Sequence, residues 1–167
     1  MSDMYRELLV KREPQTSDRL YKVGLILLTA LAAAAVLFTP WAILVLTAVC
    51  VFDYFKFPTF KQEYEYLYVN GELDIDKIFS GKSRKKAASY NIADHMELVA
   101  PWDSHEMDYY RKGFQGKLVD FSSGRPEGKP YAMVYGGEKG MEIVLFEPDE
   151  AMLADMQRIA PRKVHIS

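Results

Sequence analysis

Residues 23–52 contain no charged side chain, and this run constrains the chain more than any other feature. As one straight helix it would be about 45 Å long at 1.5 Å per residue. A bilayer hydrocarbon core is about 30 Å thick, so a single straight span overshoots. The middle of the run reads Thr39-Pro40-Trp41. Proline disfavours a helical residue before it and lacks a backbone donor, and tryptophan prefers the headgroup level. A turn there predicts a transmembrane helical hairpin at 20–57, with arms over 20–38 and about 41–57. Trp41 then sits at one membrane interface, and Tyr54, Phe55 and Phe57 sit at the other. Each arm is slightly short, which implies local thinning. One kinked helix is the alternative. A signal peptide fits poorly, because the run is too long and no small-residue cleavage site follows it.

Basic residues flank the run on both sides, with Arg6, Lys11, Arg12, Arg19 and Lys22 before it and Lys56, Lys61, Lys82, Arg84, Lys85 and Lys86 after it. The turn has none. The positive-inside rule then favours a multi-pass protein with both termini in the cytoplasm. The N-terminal segment, 1–19, reads as a short amphipathic helix with Met4, Tyr5, Leu8 and Leu9 on one side, stopped by Pro14. Ser17 and Asp18 are N-cap candidates for the first arm. The net charge of −2 offers no global basic field for nucleic acid. The single cysteine, Cys50, excludes an intramolecular disulfide and cysteine-zinc chemistry.

Beyond the run, 58–167 alternates in the manner of strands. Tyr64, Tyr66 and Tyr68 fall on one face, with Glu63, Glu65, Leu67 and Val69 on the other. Asn70-Gly71 supplies a type I′ turn, and Leu73 and Ile75 alternate with acidic residues on the return. A second turn at 80–83 leads into a basic strand at 84–92. Residues 93–100 fit either a further strand or one helical turn, and 101–116 fit a long loop or a short helix around 107–112. Strands are expected at 117–121, 131–135 and 141–146, the last two as a hairpin. A helix follows Pro148-Asp149, its Met152, Leu153, Met156 and Ile159 at helical spacing, and Pro161 ends it. The fold class is therefore α+β: a helical hairpin, then an antiparallel sheet or barrel of six or seven strands, then a C-terminal helix.

That element order resembles the bacterial membrane-anchored pleckstrin-homology-like (PH-like) domains. The runs VNGELDIDKIFSGKSRKK, LVKREP, FEPDEAML and APRKV are similar to those of an uncharacterised family of small bacterial membrane proteins. The resemblance implies an inner-membrane protein with a cytoplasmic PH-like domain, and carries no activity, cofactor or functional residue.

Motifs for chemistry fail on inspection. Gly81-Lys82-Ser83 resembles the end of a P-loop, but Asp76 stands where the pattern needs glycine. His105-Glu106 would need a histidine at 109, where Tyr109 stands. Asp94, His95, Glu97, Asp103, His105, Glu106 and Asp108 crowd one polar window without a ligand spacing. They remain the basis of an alternative reading as a membrane-bound hydrolase or metal-dependent enzyme. The favoured reading is a non-enzymatic interaction or assembly module at the membrane surface, with no cofactor or metal. In it Lys82, Arg84, Lys85 and Lys86 meet anionic inner-leaflet lipids or a partner. Tyr64, Tyr66 and Tyr68 either fill a core or line a groove, and an open strand edge receives a protein partner or a second copy. A third reading is an accessory subunit packed through the smooth surface of Ala32, Ala33, Ala34 and Ala35.

Overall fold

The structure is a computed structural model that describes residues 5–137 and 140–166. In chain order the elements are β1 (Tyr5–Lys11), α1 (Thr16–Ala35), α2 (Ala42–Lys56), a 3-10 turn (Phe57–Phe60), β2 (Gln62–Val69), β3 (Glu72–Phe79), β4 (Ser83–Asn91) and α3 (Ile92–His95). There follow β5 (Met96–Pro101), a 3-10 turn (His105–Met107), α4 (Asp108–Gly113), β6 (Lys117–Asp120), β7 (Tyr131–Gly137), β8 (Gly140–Phe146) and α5 (Glu150–Ile159). The eight strands form two sheets, ordered β1-β2-β3-β4 and β5-β7-β8-β6.

The N-terminal segment corrects the sequence expectation. Where an amphipathic helix is predicted, residues 5–11 form a strand paired antiparallel with β2 along its whole length, from Tyr5 opposite Val69 to Lys11 opposite Glu63. Met4 lies outside the described residues. Leu8 and Leu9 satisfy a helical period, but the edge of β2 offers a full row of backbone partners, and Val10 becomes buried against the core. Pairing of backbone groups outweighs the local pattern. This is the eighth strand, beyond the six or seven expected.

The helical hairpin α1–α2 is consequently inserted between two adjacent strands of one sheet. Its arms pack against each other through few residues, with Leu25, Ala32, Ala42 and Asp53 buried. Of the four alanines at 32–35, Ala32 is buried, Ala33 and Ala34 are exposed and Ala35 is half-buried. Most of the remaining apolar surface is exposed, to 86% at Leu37, 88% at Phe38 and 78% at Trp41 around the tip. Among the described residues one helix, Ala42–Phe60, is long and apolar enough to cross a membrane. The first arm carries Asp18, Arg19 and Lys22 in its first two turns and is uncharged after them.

The two sheets and α5 enclose the main core. Tyr64, Tyr66, Tyr68, Leu73, Ile75 and Tyr90 from the first sheet meet Val99, Met133, Val144 and Phe146 of the second and Met152, Leu153 and Met156 of α5. The other face of the second sheet, with Ala132, Val134, Ile143 and Leu145, is covered by Met107, Tyr110 and Phe114. Asn70 and Gly71 both have positive φ, as a type I′ turn requires. Ile159 of α5 packs onto that turn, where a Cβ at Gly71 would stand 3.2 Å from it. Asp149 caps α5 by accepting from the Met152 amide at 2.7 Å.

The second sheet is not wholly antiparallel as expected. β6 pairs parallel with β8, from Lys117 opposite Glu142 to Asp120 opposite Leu145. Strands joined by a tight hairpin must run oppositely, as β7 and β8 do, whereas the chain after β6 skips across β8 to reach β7. The skipping loop is held by short polar bonds. Ser122 donates to Asp120, and Ser123 donates through Oγ to Glu147 at 2.7 Å.

Candidate functional site

Both connections of the hairpin to the sheet are short and bonded to the domain. On the incoming side, the Arg12 amide donates to the Gln62 carbonyl at 3.0 Å and the Glu13 amide to the Ser123 carbonyl at 2.7 Å. Asp18 then accepts from the Gln15 amide at 3.0 Å and pairs with Arg12 at 3.5 Å, so one carboxylate closes the start of α1 and ties it to the strand end. On the outgoing side, Ser80 in the β3–β4 turn donates its amide to the Lys61 carbonyl at 2.8 Å and its hydroxyl to the Pro58 carbonyl at 3.0 Å. The turn after β3 is therefore fastened to the 3-10 turn below α2.

These contacts frame a cleft of about 700 Å³ at the root of the hairpin. The helices contribute Lys22, Asp53, Tyr54 and Phe57, and the strand side contributes Lys61, Phe79, Lys82 and Ser83. Lys22 Nζ lies 5.8 Å from the centre of the Phe57 ring, and Phe60 packs edge-on against Phe57 and beside Tyr21. Within the arms, Thr29 donates to Asp53 Oδ2 at 2.5 Å, a polar bridge between two otherwise apolar helices.

The basic cluster divides by strand alternation. Arg84 and Lys86 stand on the outer face of the first sheet, Arg84 paired with Glu65 at 2.5 Å and Lys86 with Asp74 at 2.9 Å. Lys82 lines the cleft, and Lys85 is exposed opposite Lys77 in the register. Burial holds the Lys77 amine below its usual range, with Arg12 and Lys85 adding repulsion. Burial raises Glu65 above the usual carboxylate range, and Arg84 opposes that rise. At Asp74 burial acts upward, yet bonds from Ser89 and Lys86 outweigh it and the carboxyl is lowered.

The tyrosine face lines no groove, which corrects one of the two expectations. Tyr64, Tyr66 and Tyr68 are buried. The Tyr66 hydroxyl donates to the Phe121 carbonyl at 2.7 Å and accepts from the Glu147 amide at 3.3 Å, so it clamps the loop after β6. Burial raises its phenol well above the ordinary value. Tyr68 is pushed up to about 12 by burial, with Asp155 adding to it, and its hydroxyl has no hydrogen-bond partner among the described residues. Strand alternation placed these rings on one face; only the second sheet makes that face an interior.

The membrane-interface candidates separate to opposite ends of α2. Trp41 precedes its first turn at the hairpin tip, while Tyr54 and Phe55 are exposed in its last turn and Phe57 joins the cleft. The polar window at 94–108 breaks into separate local pairs. Asp94 accepts from Asn91, His105 contacts Asp108 at 2.9 Å, and Glu106 lies 3.9 Å from His165. Among the described residues no group of three His, Cys, Asp or Glu side chains is placed to hold a metal ion.

Sequence reasoning flagged Lys82 within a basic cluster with Arg84, Lys85 and Lys86 and Phe57 within an aromatic interface set, and treated Asp53 only as the end of the uncharged run. No local signal showed that Asp53 turns toward Thr29 or that Lys22, Lys61 and Lys82 share one cleft. Comparison with curated proteins and with solved structures gives no match. The model of a family described as Bacterial PH-like domain (DUF6106) matches residues 2–166, and the chain, hairpin and both sheets together, belongs to that family.

Proposed function

We propose that this protein is a membrane-anchored, non-enzymatic interaction module. The hairpin enters the inner membrane, and the PH-like domain rests on the cytoplasmic surface. The observation that carries the reading is the insertion of an exposed apolar hairpin between paired strands β1 and β2. Two ends that belong to one sheet lie on one side of any bilayer the hairpin enters, which argues for two passes rather than one kinked span. From Lys22 to the end of α1 at Ala35 the helix rises about 21 Å, and the turn at 36–38 carries the apolar run further toward the far side of a hydrocarbon core about 30 Å thick. The basic residues Arg12, Arg19, Lys22, Lys56, Lys61 and Lys82 gather where the hairpin meets the domain, as the positive-inside rule asks of the cytoplasmic face. Each one near anionic headgroups contributes on the order of 1 kcal/mol.

PH-like domains are generally interaction modules rather than enzymes. The outer edge of β4, which has no strand partner among the described residues, is the place where a protein partner or second copy adds a strand. Topology tests the reading. With Cys50 replaced by alanine, single cysteines at Glu13 and Glu127 should both react with an impermeant maleimide from the cytoplasmic side only. Labelling from opposite sides, or recovery of the chain in the soluble fraction, would overturn it.

A further inference from the structure

Asp53 is not accounted for by packing of the hairpin. Its Oδ2 accepts from Thr29, but Oδ1 is shut off from solvent and has no hydrogen-bond partner among the described residues, in a side chain only 9% exposed. An unfilled acceptor of this kind is costly unless a donor reaches it. Asp53 stands on the same cleft as Lys22, Lys61 and Lys82, and none of these lysines makes an ion pair among the described residues. The wall therefore offers three ammonium groups and one carboxylate around a volume of about 700 Å³, with Tyr54, Phe57 and Phe79 as apolar sides.

From this arrangement we infer that the cleft holds the headgroup of a single phospholipid, its phosphate among Lys22, Lys61 and Lys82 and a hydrogen-bond donor of the headgroup on Asp53, whose carboxylate turns toward the cleft to bring the covered Oδ1 within reach. The inference rests on the membrane reading above, which sets the root of the hairpin at headgroup depth. Phosphate is the anion that compact lysine charges serve, and its diester carries one charge against an excess of cations. The carboxylate then selects among headgroups. An ethanolamine ammonium or a glycerol hydroxyl donates to it, whereas a choline has no N–H or O–H to give. The aromatic sides suit the glycerol and upper acyl region, and the site differs from diffuse surface attraction in requiring both signs of charge.

The test is native mass spectrometry of the full chain released from nanodiscs with equal phosphatidylethanolamine, phosphatidylglycerol and phosphatidylcholine. One retained lipid per chain is expected, with ethanolamine or glycerol lipid favoured over choline lipid about tenfold, as loss of one charge-assisted bond implies. The richer of the two identifies the donor as ammonium or hydroxyl. Lys61→Gln with Lys82→Gln, both at exposed positions, should lower retention of all three lipids about tenfold. Asp53→Asn should bring choline lipid up toward the others. Equal retention of the three lipids, or retention that ignores the lysine pair, would overturn the site. Alkaline carbonate extraction of cell membranes carrying the full chain separates the two claims. A chain that leaves the bilayer refutes the anchor, while a chain that stays without discriminating lipids refutes only the cleft.

Discussion

The β domain buries most of its large apolar side chains, whereas the helical hairpin exposes most of its own. The domain encloses Tyr66, Tyr68, Leu73, Ile75, Met133 and Phe146 and turns Glu7, Lys86 and Arg125 outward. The hairpin turns Leu27, Leu31, Leu37 and Phe38 outward and encloses only Leu25, Ala32, Ala42 and the Asp53 carboxylate. In water the first arrangement is stabilised by removing apolar area, and the second has almost no such term. Helices that meet through Leu25, two alanines and one polar bridge have the sparse packing expected in an apolar solvent, where a hydrophobic drive between helices is absent. On the membrane reading proposed above, the contrast is that of one chain written for two solvents, with charges of both signs at the junction between them.

Core truncation should show the contrast at its largest. Tyr66→Ala removes a buried ring and the clamp on Phe121 and Glu147, and should cost about 3–5 kcal/mol in urea unfolding followed by near-ultraviolet circular dichroism. Leu31→Ala on the exposed face of α1 should move the same transition by less than about 0.5 kcal/mol. A comparable loss at Leu31 would erase the distinction between the two regions.

Next in size is Asp155, buried on α5 and joined to Arg6 of β1 at 2.9 Å and to Arg158 at 3.2 Å. It is the polar counterpart of Asp53, and Asp155→Ala should cost about 1–3 kcal/mol, with loss of amide-exchange protection concentrated in β1. Uniform loss across the domain would show that β1 is not held through this contact.

A smaller effect depends on pH. Glu65 has a raised pKa in the fold, so the stability it contributes is present below the ordinary carboxylate value and is lost as pH rises through the raised one. Removing its partner raises that pKa further. Arg84→Ala should therefore destabilise by about 1 kcal/mol at neutral pH, a figure discounted for the half-exposed arginine, and by progressively less toward pH ~4. A penalty independent of pH would mean that the arginine acts through packing alone. The smallest expected effect is Tyr68→Phe, which removes a buried hydroxyl without a partner among the described residues and should be neutral or stabilising by up to about 1 kcal/mol. A loss of stability there would reveal a bound donor or acceptor.

Much of this molecule is legible locally. The turn at Thr39-Pro40, the Asn70-Gly71 hairpin and α5 with its Asp149 cap all rest on backbone preferences and periodicities that the chain carries in short windows. The tyrosine face was readable as a face, though not as an interior. Lys82 was readable as basic, though not as the neighbour of Lys22. Tertiary structure alone decided that 5–11 is a strand, that β6 runs parallel to β8, that Arg84 and Lys86 are committed to Glu65 and Asp74, and that Asp53 is left with one open oxygen. The physical reason is common to all four. A backbone edge, a crossing loop or a counter-charge acts on a residue from 12 or more positions away. Its pull on each group is comparable to the local preference it overrides, so the outcome is set only when the partners meet in the folded chain.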